Sequence, residues 1–112
     1  MDHVPGLKFA MDCGNFAYSD EDAWAAFETL HDRIVHVHTK DRGEEPEVRA
    51  KGLKVNKGLA AVAAGDGYMP VGSVVETMQK EGYQGWYAIE HFNSEDHMTA
   101  MARSAAYLKS FE

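Results

Sequence analysis

Apolar residues recur along this chain with two periods, one of two residues and one near 3.6, and together they predict three cycles of strand, loop and helix. The first strand runs Leu7-Lys8-Phe9-Ala10-Met11 and ends at Asp12, with Leu7, Phe9 and Met11 on one face. Gly14-Asn15 interrupts it. A helix is expected from about Asp20 to His31, with Ser19 as N-cap, Asp22 three residues on, and an apolar stripe of Trp24, Phe27 and Leu30. The second strand is Ile34 to Thr39; strict alternation puts Val35, Val37 and Thr39 on one face and Ile34, His36, His38 and Lys40 on the other. A polar stretch from Asp41 to Asn56 follows, then a run of small residues from Gly58 to Gly67. At about 25–30 residues this connection is several times the usual length, which marks it as functional or mobile. The second helix begins near Pro70 to Ser73, carries Val71, Val74, Val75 and Met78 at helical spacing, and stops at Gly82. The third strand is Trp86 to His91. The third helix opens at Asn93 or Ser94 and runs to about Phe111, burying Met98, Met101, Ala105 and Leu108.

Alternating strands and helices imply an α/β fold with parallel strands joined by right-handed crossovers. Three such units, treated as one domain over residues 1–112, are part of a (β/α)8 barrel, which takes about 250 residues when complete. Helices on one face leave the other, with Ala10, His36, His38, Ala88 and Glu90, uncovered. A small domain has only about 5–15 kcal/mol of stability, so an uncovered sheet is expected to associate. The expected partner is a second copy or a missing N-terminal half, burying at least about 1,000 Å² at the edge of the first or third strand. The alternative is a doubly wound sheet that pulls those polar residues out of register.

Composition narrows the function. Eleven Lys and Arg against eighteen Asp and Glu give a formal charge of −7, and no basic run exists to hold a nucleic acid backbone. No apolar stretch approaches the ~20 residues of a membrane span, and MDHVPGLK lacks the form of a signal peptide, so the expectation is cytoplasmic. Cys13 stands alone, which rules out an intramolecular disulfide.

Against this background three polar residues stand out. Asp12, His38 and Glu90 each fall at or near the C-terminal end of a strand, on the face opposite its bulky aliphatics. Each alone is an ordinary strand-end residue; together, on one rim of a parallel sheet, they point to a site. Two carboxylates and one imidazole suit a divalent metal. Oxygen ligands favour Mg²⁺ or Mn²⁺, and the imidazole shifts the preference toward Mn²⁺, Co²⁺ or Zn²⁺. Mn²⁺ is the expected ion.

The segments FAMDCGNF (Phe9 to Phe16), HVHTKDR (His36 to Arg42), GDG (Gly65 to Gly67) and GYQGWYAIEHF (Gly82 to Phe92) carry a likeness to a known family. In order and spacing they resemble strands six, seven and eight of the sugar isomerase/epimerase superfamily, the xylose isomerase-like barrels. That group includes ketose 3-epimerases, inosose dehydratase and endonuclease IV. The resemblance implies one divalent ion held by Glu, Asp, His and Glu on four successive strands. It places the Asp at Asp12, the His at His38 and the last Glu at Glu90, which is also the implied catalytic acid/base. The first Glu belongs to a strand this chain does not contain. Asn15 replaces a substrate-binding His of ketose epimerases, and Lys40 and Arg42 are further candidate substrate contacts.

The expected activity is metal-dependent isomerisation or epimerisation of a sugar, sugar phosphate or polyol, by proton transfer next to a carbonyl. A lyase of the inosose dehydratase type is the enzymatic alternative, and a catalytically silent partial barrel that works only in an assembly is the non-enzymatic one. Among the remaining residues, His36 is expected to pack behind and orient His38. Cys13 reads as a buried inert thiol, Trp24 and Trp86 as core, the GDG segment as a tight turn into the second helix, and His91 and His97 as solvated.

Overall fold

The computed structural model describes residues 4–44, 58–91 and 96–112. Most of the long polar stretch (45–57) and the expected helix start at Asn93 or Ser94 lie outside the described residues. Among the described residues, strands β1 (Phe9–Asp12), β2 (Ile34–His38) and β5 (Tyr87–Ala88) form a parallel sheet in the order β1-β2-β5. Strands β3 (Asp41–Gly43) and β4 (Ala60–Val62) pair antiparallel in a second, two-stranded sheet. The helices are α1 (Ala23–Leu30), α2 (Val71–Lys80) and α3 (His97–Lys109). The mixed α/β class and the parallel pairing agree with the pattern of the sequence. The long connection does not: part of it is a β-ribbon that alternation in so short a segment could not reveal.

The core lies between one face of the parallel sheet and all three helices. Met11, Ile34 and Val37 meet Phe27 of α1 and Val71, Val74, Val75 and Met78 of α2, with Tyr107, Leu108 and Phe111 from the end of the chain against them. The α2 stripe is buried as its spacing predicts. The opposite sheet face is open, with Ala10 exposed and His36, His38, Ala88 and Glu90 half-buried. The molecule is a slab, 17 Å along its shortest axis against 39 Å along its longest. The strands keep chain order, so the doubly wound alternative does not arise. No described helix is long and apolar enough to cross a membrane.

Several local expectations are corrected. Strand β2 does not alternate strictly: Phe9 pairs with Ile34 and Ala10 with His36, so Val35 is a bulge residue and is 55% exposed. The bulge returns Ile34 to the core side. Leu7 precedes the strand and is exposed. The cap of α1 is Asp22, not Ser19: its Oδ1 accepts from Trp24 N at 2.9 Å and Ala25 N at 3.1 Å. Residues Asn15–Ser19 form a 3₁₀ turn, and Asp20 at φ +55° breaks the path to the helix. Trp86, expected in the core, is 80% exposed, because it precedes β5, the edge strand of the described sheet. On α3, Met98 and Met101 face solvent and Ser104 is the fully buried residue. Its hydroxyl hydrogen-bonds Ala64 N at 2.9 Å and the ring of His91 at 2.6 Å, so a polar contact joins Tyr107 and Leu108 in seating the helix.

Candidate metal centre

Strand register builds the site. Asp12 pairs with His38 across β1 and β2, and His38 pairs with Ala88 across β2 and β5. The strand ends are tied just beyond: Cys13 N donates to His38 O at 3.1 Å, and Thr39 sends both its N (2.8 Å) and its Oγ1 (3.0 Å) to Ala88 O. Glu90 follows Ala88 by two residues. One ligand atom from each of Asp12, His38 and Glu90 falls within 4.8 Å of the other two. Ligands on opposite sides of one cation sit about 4–5 Å apart, twice a bond of about 2.0–2.6 Å, so the span fits a single divalent ion.

Each ligand presents a usable atom. Asp12 Oδ1 accepts from Gly14 N (2.9 Å) and Asn15 N (3.0 Å), which anchors the carboxylate and turns Oδ2 toward the cluster. His38 Nδ1 lies 2.9 Å from Glu90 Oε2 and 3.4 Å from Asp12 Oδ2. The ring of His36 meets that of His38 edge-on, with centroids 5.0 Å apart and planes at 82°. His36 therefore lies where the sequence placed it, beside His38 on the open face.

Lys40 joins the cluster. It is buried, with Nζ 3.3 Å from Asp12 Oδ2 and 3.2 Å from Glu90 Oε1, and it donates to Asn15 Oδ1 at 3.0 Å. Asn15 and Asp12 also border a cleft of about 290 Å³ between Phe9, Ala10, Phe16 and Glu21. Arg42 is not brought to this cluster. Its guanidinium donates to Leu59 O at 3.1 Å and Tyr18 Oη at 3.0 Å and stacks 5.0 Å from the Tyr18 ring centroid, so it ties the ribbon to the 3₁₀ turn.

Two neighbours confirm or correct the reading of lesser residues. Cys13 is fully buried, and burial, with Asp12 and Asp41 nearby, pushes its thiol up to about 12, an inert state as expected. His91, expected in solvent, is buried against Ser104, and that burial holds its pKa below the usual histidine value.

Asp41 was missed by sequence reasoning. It is 1% exposed, and its two oxygens accept four backbone N–H groups: Arg42 (2.9 Å) and Met69 (3.0 Å) on Oδ1, Gly65 (2.9 Å) and Gly67 (3.1 Å) on Oδ2. This is what shapes the GDG segment into a turn. A Cβ on Gly67 would lie 2.1 Å from Arg42 O, so only glycine lets the loop come this close. Burial raises the Asp41 carboxyl above its ordinary value, against the pull of those four donors.

A family profile described as xylose isomerase-like TIM barrel matches residues 1–111. The chain belongs to that family. Its relatives include an inosose dehydratase of Lactiplantibacillus plantarum, 39% identical over 70% of this chain and 28% of that protein. An inosose dehydratase of Yersinia enterocolitica is 39% identical over 70% of this chain and 29% of its own length. The rhizopine catabolism protein MocC of Rhizobium meliloti is 37% identical over 76% of this chain and 27% of its own. The chain thus spans less than a third of each of these relatives.

Proposed function

We propose that this chain forms the three C-terminal βα units of a xylose isomerase-like barrel and carries three ligands of its metal site, in a lyase of the inosose dehydratase type. The convergence of Asp12, His38 and Glu90 from three adjacent strands, each with a ligand atom turned into one cluster, carries the reading. The names of the relatives favour a dehydratase over the isomerase or epimerase expected from the sequence. Asp12 Oδ2, His38 Nδ1 and a Glu90 oxygen would hold the ion. Mn²⁺ is the first choice, and Mg²⁺, Co²⁺ and Zn²⁺ fit the same donors. Bound there, a divalent ion supplies the Lewis acidity that makes a C–H next to a ketone acidic.

The chain's own groups account for the rest. Glu90, half-buried in the cluster with Asp12 and His38, takes the proton from the carbon next to the carbonyl of a cyclic polyol ketone. In a dehydration, the hydroxyl on the following carbon leaves, and the same proton returned to it departs as water. One C–H and one C–O bond break, one C=C bond forms, and Glu90 ends as it began. In an isomerase the proton would return to carbon instead. Asn15 and Lys40 stand where they can hydrogen-bond ring hydroxyls; Arg42 contributes only through the turn it braces.

This reading needs the open sheet face to be covered, by a second copy or by a chain supplying the remaining barrel and the family's other glutamate. Light scattering at micromolar concentration tests the assembly, and a compact cooperative monomer would defeat it. The activity test is an inosose with Mn²⁺ in heavy water, with the product read by ultraviolet absorbance and mass. An unsaturated ketone, abolished in Glu90→Gln, is expected. Full turnover by Glu90→Gln would sink the assignment.

A further inference from the structure

Lysine is seldom buried, and when it is, its ammonium is paired. Lys40 keeps only 9% of its side chain exposed, and its Nζ sits among three oxygens: Asn15 Oδ1 (3.0 Å), Glu90 Oε1 (3.2 Å) and Asp12 Oδ2 (3.3 Å). Two of these belong to the carboxylates assigned above to a divalent ion, and Asp12 Oδ2 is the ligand atom itself. The stem of Lys40 lies in a slot that exists because residue 14 has no side chain: a Cβ there would stand 2.6 Å from Lys40 Cγ and 2.9 Å from Cδ. Gly14 has φ −95°, a value open to any residue, so the need for glycine is one of space, not of backbone conformation. Gly14, Asn15 and Asp12 are consecutive with Cys13 in one turn, whose backbone N–H groups fix Asp12 Oδ1. One short segment therefore supplies a metal ligand, the slot for the lysine and the amide that receives its ammonium.

We infer that Lys40 is an internal competitor for the metal, which the Gly14 slot delivers to the same two carboxylates, Asp12 and Glu90, that a divalent ion takes. The inference rests on the metal reading above and adds to it. The ammonium neutralises part of the charge of two carboxylates that would otherwise repel each other at the strand ends. A divalent ion carries twice its charge and cannot share those oxygens with an ammonium at van der Waals distance without strong repulsion. Entry of the ion therefore shifts Nζ off the carboxylates, leaving Asn15 Oδ1, at the border of the cleft, as its remaining partner. Lys40 thereby sets the affinity of the site for metal and is itself a positioning group for whatever occupies the cleft.

The test uses the full 112-residue chain. Free Mn²⁺ is measured by electron paramagnetic resonance against wild type, Lys40→Met and Gly14→Ala, with circular dichroism as the check on folding. Removing the competing charge, or crowding it out of its slot, should tighten Mn²⁺ binding by about tenfold or more. In wild type, Mg²⁺ should also raise the rate at which Lys40 is acetylated by a small acylating reagent, mapped by mass spectrometry. If Lys40→Met does not fold, Gly14→Ala and the acetylation rate decide the matter. Wild type that binds Mn²⁺ while both variants bind it no tighter, with acetylation of Lys40 unmoved by Mg²⁺, would overturn the inference alone. Absence of Mn²⁺ binding at millimolar concentration in all three proteins would overturn the metal reading on which it stands.

Discussion

Asp41 and the pair Asp12 and Glu90 are carboxylates at or just beyond the C-terminal ends of neighbouring strands, yet their partners differ in kind. Both oxygens of Asp41 are filled by backbone N–H groups, four in all, from the ribbon and from the turn that enters α2. Asp12 spends one oxygen on backbone donors and turns the other toward Lys40 and His38. Glu90 offers its oxygens to Lys40 and His38. Backbone donors are fixed and cannot be exchanged without unfolding the loop; a lysine or an imidazole can move aside. The first arrangement holds a turn in place, whereas the second leaves anionic oxygens available to a cation. Residue type and strand-end position do not separate structural from chemical acids here. The kind of group facing them, backbone or side chain, does.

The contrast is broken most directly at Asp41. Asp41→Ala leaves four backbone donors without acceptors, and buried unpaired donors cost about 1–3 kcal/mol each before water or relaxation recovers part. A loss of about 3–5 kcal/mol in urea unfolding is expected, with Asp41→Asn between it and wild type. A loss below about 1 kcal/mol would mean that the turn does not depend on these bonds.

The opposite profile is expected at Glu90. Its own side chain is 38% exposed, and ion pairs reached by water contribute about 0–1 kcal/mol; buried Lys40 keeps Asp12 and Asn15 as partners when Glu90 is changed. Glu90→Gln should therefore unfold within about 1 kcal/mol of wild type while Mn²⁺ affinity falls by about tenfold or more. Equal affinity in the two proteins would place the ion, if any, elsewhere.

The sequence's legibility divides along the same line. Asp12, His38 and Glu90 could be aligned from the strand pattern alone, because parallel register in a βα repeat carries strand ends to one rim, and the structure pairs Asp12 with His38 as that logic requires. The α2 stripe was equally plain, since four apolar positions at helical spacing have one way to be buried. Asp41 was opaque because its acceptor role depends on Gly65, Gly67 and Met69, more than twenty residues downstream in a turn with no periodic signal. Lys40 could be named as a candidate, but not seen to reach both carboxylates, because the slot that Gly14 leaves for its stem exists only in the folded chain. The misreading of α3 has another cause. Met98, Met101 and Leu108 suggest an apolar face, but the helix docks through its C-terminal turns and Ser104, which leaves both methionines in solvent. Val35 shows the limit of alternation, since one bulge residue shifts the phase of every position before it.

The smallest effect is also the sharpest test of what governs Asp41. Four backbone donors favour its ionised form, and burial favours the neutral one; burial prevails, so its carboxyl titrates above the ordinary value in the folded protein. Between the ordinary value near ~3.9 and the raised one, the folded chain holds a proton that the unfolded chain has released. Stability therefore falls as pH rises through that window and is flat, with respect to this group, above it. The slope is at most about 1.4 kcal/mol per pH unit for a single proton. The stability difference between wild type and Asp41→Asn, measured by urea unfolding at intervals from pH 4 upward, should shift against wild type across the window and then level off. Carboxyl ¹³C NMR gives the same answer directly. An Asp41 resonance that titrates below ~3.9 would mean that the fixed donors outweigh burial. The turn would then be weakened by acid and not by rising pH, which reverses the sign of the expected slope.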